Sequence, residues 1–484
     1  MIDYSKYEAV IGLEVHIQLL TSSKAYSNDA AEYGAMPNTL VGVVSLGHPG
    51  TLPKVNKKVI EYAVKLGLAV DATIREVNGY ARKNYFYADL PKGYQITQDT
   101  TPICTGGKIT VKLDDGKEKE IKITRIHMEE DAGKSIHDID PFHTLVDLNR
   151  AGVPLLEMVS EPDIRSGEEA YKYLTEVRKL VRYLGICDGN MEEGSMRCDA
   201  NVSVRLRGES KFGRKVEVKN MNSIRNVQRA IEFEIKRQIE AVEAGEEISQ
   251  DTRSFDASNG STFLLRSKEM ANDYRYFPEP DLPPVIVSKE YIQGVKINLP
   301  ELPHVLLKRY QQSLGLSEYD AINLTESREF AEYFNDLTKH CSNFKGAANW
   351  MLGPVKSYLN ENGLSITQFA LSPTRLSTLI ELVDQGKVSH SVAAQQVFPK
   401  LLTDLSQSPL QIAESLNLLQ DSSADILMEF VKSAVEKYPE KVSEYKNGKV
   451  GLIGLFMGEV MKLSKGKADP KVANKLMKEY LDSI

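Results

Sequence analysis

The sequence predicts an α+β protein, β-rich through roughly its first 280 residues and helical beyond about residue 295. Three observations carry that expectation. Apolar residues alternate with polar ones in the first part, recur at helical spacing in the last, and a proline-dense break separates the two. In Phe277-Pro-Glu-Pro-Asp-Leu-Pro-Pro284, four prolines in seven residues can continue neither a helix nor a central strand, so a rigid turn or linker is expected. At 484 residues, with about 150 per domain, the soft expectation is three domains.

The elements follow in order. Val10-Ile-Gly-Leu-Glu-Val-His-Ile-Gln-Leu19 reads as a strand with Leu13, Val15, Ile17 and Leu19 on one face. Gly12, Glu14, His16 and Gln18 then share the other. Glu120-Ile-Lys-Ile-Thr-Arg-Ile-His-Met128 alternates in the same way. Ser166 followed by Glu169 is a capping box. After it Tyr173, Leu174, Val177, Leu180, Val181 and Leu184 form an apolar stripe that Gly185 ends. Asn222 or Ser223 caps a second helix reaching about Ala244, before Gly245. Beyond the prolines, residues 325–340, 343–360 and 373–384 read as amphipathic helices. A weaker seam lies at Ser406 to Pro409. The tail joins an apolar segment, residues 450–461, to a Lys-rich helix after Pro470.

Composition excludes several classes. The chain is 42% hydrophobic and 26% charged, with mean hydropathy −0.32. No apolar run approaches the roughly 20 residues that span a bilayer. The first residues carry neither a basic leader nor an apolar signal core, so a cytoplasmic protein without membrane attachment is expected. Cys104, Cys187, Cys198 and Cys341 form no CxxC pair and read as reduced thiols. A net charge of −7 argues against an overall basic nucleic-acid surface. Charge is uneven, however. From Tyr445 to Ile484 eight lysines (446, 449, 462, 465, 467, 471, 475, 478) face four acids, a local +4 on an acidic body.

The common nucleotide motifs are missing: there is no GxxxxGK[ST], no GxGxxG after a strand and no HExxH. Gly106-Gly107 reads as a hairpin turn. Three sets of residues could carry chemistry. Glu14 and His16 stand side by side on one strand face. His127-Met-Glu-Glu-Asp-Ala-Gly133 crowds three acids at a strand end, and Glu192-Glu-Gly-Ser-Met-Arg-Cys-Asp199 combines acids, a turn and an arginine. Adjacent carboxylates repel unless a cation or basic groups neutralise them, and carboxylate-rich sets with one His suit Mg²⁺. By composition alone the same acids read as solvated loop residues, and Glu14 and His16 as surface residues of a half-buried strand, rather than as ligands. The stretch from Arg82 to Gln98 interleaves four aromatics with three basic residues. It suits either base stacking with phosphate contacts or a loop whose aromatics cover the core.

The order of motifs adds what no single one gives. Val10-Ile-Gly-Leu-Glu-Val-His16, Arg82-Lys-Asn-Tyr-Phe-Tyr87, His127-Met-Glu-Glu-Asp-Ala-Gly-Lys134, Asp147-Leu-Asn-Arg-Ala-Gly-Val-Pro-Leu155, Met191-Glu-Glu-Gly-Ser-Met-Arg-Cys-Asp-Ala-Asn201 and Asp273-Tyr-Arg-Tyr-Phe-Pro-Glu-Pro-Asp281 occur in the order of one family. The chain resembles, over essentially its whole length, the B subunit of the bacterial tRNA-dependent amidotransferases. Its tail, from Tyr445-Lys-Asn-Gly-Lys449 through Gly466-Lys-Ala-Asp-Pro470, resembles that family's C-terminal domain.

The resemblance implies a β-rich cradle-like catalytic domain over residues 1–292, a helical domain over 293–405 and a basic helical tail over 406–484 that meets tRNA. It implies that ATP phosphorylates the side-chain carboxylate of Glu-tRNA(Gln), Asp-tRNA(Asn) or both. Ammonia then displaces phosphate; it comes from an amidase subunit that a small third subunit clasps to this one, making a heterotrimer. The resemblance further implies Glu14, His16, Glu129, Glu130 and Asp199 around Mg²⁺, and Lys83, Arg150, Arg197, Lys219 and Arg275 on phosphate. Lys92 and Ser195 are implied as nucleotide contacts, and Tyr85 and Tyr94 as cofactor-binding residues that face the adenine or the tRNA end. Many relatives carry a four-cysteine zinc site in the region matching residues 24–50. Here that stretch has Tyr26, Asn28 and His48 but no cysteine, so no structural zinc is expected. The competing readings are a non-catalytic tRNA-binding scaffold and a metal-dependent phosphohydrolase.

Overall fold

The computed structural model describes residues 2–267, 274–419, 424–464 and 468–484. Asp273, Lys465, Gly466 and Lys467 of the motifs above lie outside these. The chain divides into two compact units, Met1–Leu302 and Pro303–Ile484.

Seventeen strands are found among the described residues of the first unit. They begin with β1 (Tyr7–Gln18), β2 (Thr73–Ile74), β3 (Val77–Asn78), β4 (Ala81–Asn84), β5 (Tyr94–Thr97) and β6 (Cys104–Thr105). Next come β7 (Lys108–Lys112), β8 (Glu118–Glu130), β9 (Lys134–Ile136), β10 (Leu145–Asp147), β11 (Pro154–Ser160) and β12 (Met196–Leu206). The last are β13 (Val216–Lys219), β14 (Asp251–Asp256), β15 (Ser261–Ser267), β16 (Arg275–Pro278) and β17 (Val285–Ile286). A ten-stranded sheet runs β15-β14-β13-β12-β1-β11-β8-β6-β2, with β7 also paired to β8. A separate three-stranded sheet has the order β16-β4-β5.

The expected alternation on β1 sets the core. Ile11, Leu13, Val15 and Ile17 are fully buried. They share one apolar cluster with the helices α1 (Lys57–Ala69), α2 (Gly167–Tyr183) and α3 (Ile224–Glu243). Each such side chain contributes roughly 1.5–3 kcal/mol by leaving water. Ser166 caps α2 by accepting from Glu169 N. The Glu169 carboxylate reaches back to Arg165 N rather than to Ser166. Ser223, not Asn222, caps α3.

Two turn expectations need correction. Gly106 and Gly107 do adopt positive φ, 68° and 100°, but no hairpin follows, because β6 and β7 on either side both pair with β8. The proline-dense segment is not all linker either. Pro278 closes β16, which lies on a sheet edge where a missing N–H costs no ladder bond.

The second unit is helical among its described residues. Helices occupy Arg328–Thr338 and Pro373–Asp384, close to expectation. Phe344–Trp350 and Lys356–Asn362 are joined by a π turn, Met351–Val355, that accommodates Pro354 inside the helix. Toward the C-terminus Leu427, Val431, Phe456, Val460, Met477 and Leu481 pack into a core of their own. No helix among the described residues is long and apolar enough to cross a membrane.

Candidate functional site

The polar face of the central strands concentrates charge. Directly opposed residues of antiparallel strands share a face. His16 on β1 stands opposite Arg197 on β12 and Glu157 on β11, and Glu157 stands opposite His127 on β8. One row across four strands therefore reads Arg197, His16, Glu157, His127. Two residues along β1, Glu14 faces Asp199.

Two ligand-like sets result. His16, Glu129 and Glu157 bring one donor atom each within 4.8 Å of one another, and so do Glu14, Asp199 and Glu217. In the first set Glu157 Oε2 lies 3.3 Å from His16 Nε2 and 3.6 Å from His127 Nε2. Lys83 Nζ stands 3.8 Å from Glu129 Oε1. In the second, Lys219 Nζ lies 2.5 Å from Asp199 Oδ2 and 2.9 Å from Glu217 Oε1. Asn201 Nδ2 donates to Glu14 Oε1 at 2.9 Å. Arg197 Nη2 lies 2.9 Å from Asp131 Oδ2.

Electrostatics separate these groups. Burial opposes ionisation of Glu157, but His16, His127 and Lys83 outweigh it and hold the carboxyl well below its usual range. Burial likewise opposes charge on His16, and the Glu157 carboxylate overcomes it, so the imidazole sits above its ordinary value. Glu14 is pushed the other way, upward, first by burial and then by Glu157, Asp199 and Glu217. Burial works against the Lys219 ammonium, which Asp199 and Glu217 nonetheless hold above its ordinary value. Buried Glu129 Oε2 makes no hydrogen bond with a described residue; the His127 imidazole nitrogen stands 3.5 Å away. A crowded carboxylate and an unsatisfied buried oxygen among hard ligands are what a divalent cation relieves, so these residues fit Mg²⁺.

The remaining expected residues fall elsewhere. Glu130 follows Glu129 on β8 and points to the opposite face, where it meets Lys92 Nζ and accepts from Ile96 N at 2.9 Å. Lys92 also lies 5.3 Å from the Tyr94 ring centroid, and Tyr94 is covered by Arg82 at 4.2 Å. Arg82 is held in turn by Glu279 and Asp281. Glu130, Lys92 and Tyr94 thus form a second group, apart from Lys83. Tyr85 stays with Lys83, at 6.0 Å, and donates to Gln95 Oε1 at 3.1 Å. Arg150 donates to Ala132 O and Gly133 O, at 3.0 and 2.7 Å, tying the loop after β8. Ser195 donates to Asp188 Oδ2 at 3.2 Å in the turn before β12. Arg275 is exposed on β16, 5.5 Å from the Phe277 ring centroid.

Four residues at the site were not singled out from sequence: His127, Asp131, Glu157 and Glu217. His127 and Asp131 belong to a quoted motif, so their signal was present. Glu157 had a fainter one, a lone acid inside the apolar run Pro154-Leu-Leu-Glu-Met-Val-Ser160. Within residues 24–50 the loop is gathered by Asp29 Oδ2, which accepts from Gly42 N, Ser45 Oγ and Ser27 Oγ, each at 2.9 Å.

Comparison with known proteins bears directly on this arrangement. Residues 9–293 match the family model described as the GatB/GatE catalytic domain, and residues 332–481 match the GatB domain. The chain belongs to the GatB family. Its GatB relatives include the B subunit of the aspartyl/glutamyl-tRNA(Asn/Gln) amidotransferase of Synechococcus sp. (strain JA-2-3B'a(2-13)), 49% identical over 99% of this chain and 98% of the relative. The proteins of the same name from Thermodesulfovibrio yellowstonii and Geobacter sulfurreducens are each 48% identical, over 98% of this chain and 99% of theirs. The GatB catalytic match includes every residue of the two ligand-like sets described above.

Proposed function

We propose that this chain is the subunit of a glutamine-dependent amidotransferase that amidates the side-chain carboxylate of Glu-tRNA(Gln), Asp-tRNA(Asn) or both. The observation that carries the reading is the paired acid and imidazole sets on one sheet face, flanked by Lys83, Arg197 and Lys219, in a chain of the GatB family.

The chemistry requires activation, because a carboxylate oxygen does not leave as oxide. The substrate carboxylate attacks the terminal phosphorus of ATP, ADP departs, and an acyl phosphate forms. Ammonia then adds to the acyl carbon, phosphate leaves with the carbon–oxygen bond pair, and one proton is released to give the amide. No general base is needed for the first step, since the substrate carboxylate is ionised at neutral pH. Lys83, Arg197 and Lys219 place positive charge where phosphoryl oxygens gain negative charge. Glu157 keeps His16 and His127 oriented.

His16, Glu129 and Glu157, with Glu14, Asp199 and Glu217, are the residues that would hold Mg²⁺. When bound, Mg²⁺ supplies charge neutralisation for phosphoryl transfer. Glu130 and Lys92 support the neighbouring loop rather than that set. An amidase and a small clasping protein complete the enzyme as its other two subunits, and residues after about 406 grip the tRNA body. Residues 24–50 fold without a cysteine ligand set, so elemental analysis should return no stoichiometric zinc.

The test uses purified Glu-tRNA(Gln) and Asp-tRNA(Asn) with ATP and ammonium. Amide, ADP and phosphate should appear in equal amounts, and only with charged tRNA. ATP cleavage that proceeds equally without tRNA would instead support a phosphohydrolase, and tRNA binding without any turnover would support a scaffold.

A further inference from the structure

One face of the small β16-β4-β5 sheet is left open beside the site. Pairing sets Tyr276 opposite Lys83. Beyond that pair Tyr85 and Tyr274 meet edge to face with ring centroids 5.4 Å apart, and Tyr87 adds a third ring 5.6 Å from Tyr85. The Lys83 ammonium lies 4.8 Å from the Tyr274 centroid while it also faces Glu129. These rings are not packed away. Tyr87 is 53% exposed, and Tyr274 and Tyr276 40% each. The opposite face of the same sheet differs, because there Arg82 covers Tyr94 and is itself fixed by Glu279. Clustered exposed aromatics on a folded protein mark a contact surface.

We propose that this aromatic face stacks the unpaired 3′-terminal nucleobase of the charged tRNA. The inference rests on the reading that charged tRNA is the substrate. Three observations favour this occupant over the adenine of ATP. The amino acid is esterified to the terminal ribose, so a side-chain carboxylate brought to Lys83 and Glu129 brings the last base to the adjoining surface. The rings are open to solvent, whereas small-molecule rings are usually enclosed in concave pockets; an open aromatic face suits the single-stranded end of a macromolecule. Lys83, beside the rings, also supplies the positive charge that the terminal phosphate calls for.

The experiment measures equilibrium binding of the full chain, in its native complex, to two uncharged tRNA(Gln) probes. One ends in the intact 3′ adenosine and the other in an abasic 3′ nucleotide. Tyr274→Ala and Tyr87→Ala should each bind the intact probe more weakly, with Tyr274→Ala losing roughly tenfold. Both should bind the abasic probe as the unsubstituted protein does, and Tyr274→Phe, which keeps the ring, should behave as unsubstituted on both. Equal losses on the two probes, or no loss on either, overturn the proposal. So does a raised KM for ATP with tRNA binding unchanged, which would assign the rings to ATP. Failure of the unsubstituted protein to amidate charged tRNA would sink the functional reading instead, and the two-probe comparison would still decide the stacking.

Discussion

The two units carry the same kinds of charged residue under opposite conditions. In the second, several ion pairs lie on helix surfaces at helical spacing, such as Arg328 with Glu332 at 2.6 Å, Lys441 with Glu444 at 2.6 Å and Lys475 with Glu479 at 3.9 Å. Water screens such pairs and each contributes little. In the first unit, strand pairing forces Glu129, Glu157 and two imidazoles together where little water reaches them, and Glu129 is only 3% exposed. Neither arrangement is visible in net charge. What separates them is whether the fold lets each charge keep its own solvent, and the chemistry belongs where it does not.

That contrast can be pushed until it breaks, beginning with the largest effect. Glu129→Ala and Glu157→Gln should each lower tRNA-dependent ATP cleavage by about 10²-fold or more, as loss of a key electrostatic group does. Near-normal turnover of both at saturating Mg²⁺ contradicts the assignment. Next comes the tail. Among the described residues Lys446, Lys471 and Lys478 form no ion pair, so they are available to phosphate. Each contact contributes about 0.7–0.9 to the slope of log affinity against log salt. Replacing all three with Ala should therefore flatten that slope by roughly 2 units or more; an unchanged slope removes the tail from the tRNA grip.

The smaller effects are on stability. Glu14 is held in unwanted proximity to Asp199 and Glu217, so Glu14→Gln should raise Tm in metal-free buffer at neutral pH while lowering turnover. A lower Tm would show that the crowding costs nothing. In the second unit, Asp320 is buried, which works against its charge, yet Lys345 and Ser317 hold its carboxyl below the ordinary 3.8. Its stabilisation is present above that pH and fades as pH falls through the depressed value. Chemical denaturation of the unsubstituted protein and Asp320→Asn should show a gap at pH 7 that closes in strong acid. A gap independent of pH would mean that packing, not charge, is responsible.

Much of this was legible in sequence where a local rule applied. Alternation along β1 placed Glu14 and His16 together and away from the core, as found. The same period of two sends the neighbours Glu129 and Glu130 to opposite faces of β8, and only the structure shows that Glu130 meets Lys92 there. Glu157 was hidden because its partners, His16 and His127, come from strands far away in sequence, and register is not a local property. The glycine pair at 106–107 misled for a related reason. Its turn geometry was correct, but the strand that both flanks pair with lies downstream.

On the proposed function, the face around His16 and Glu157 is a divalent-cation site. Titration with Mn²⁺, followed by loss of the free-ion electron paramagnetic resonance signal, tests it without requiring any turnover. The unsubstituted protein should bind Mn²⁺, Mg²⁺ should compete, and Glu157→Gln should lose that binding while Glu130→Gln retains it. Equal Mn²⁺ binding by the unsubstituted protein and Glu157→Gln would rule out a cation site there.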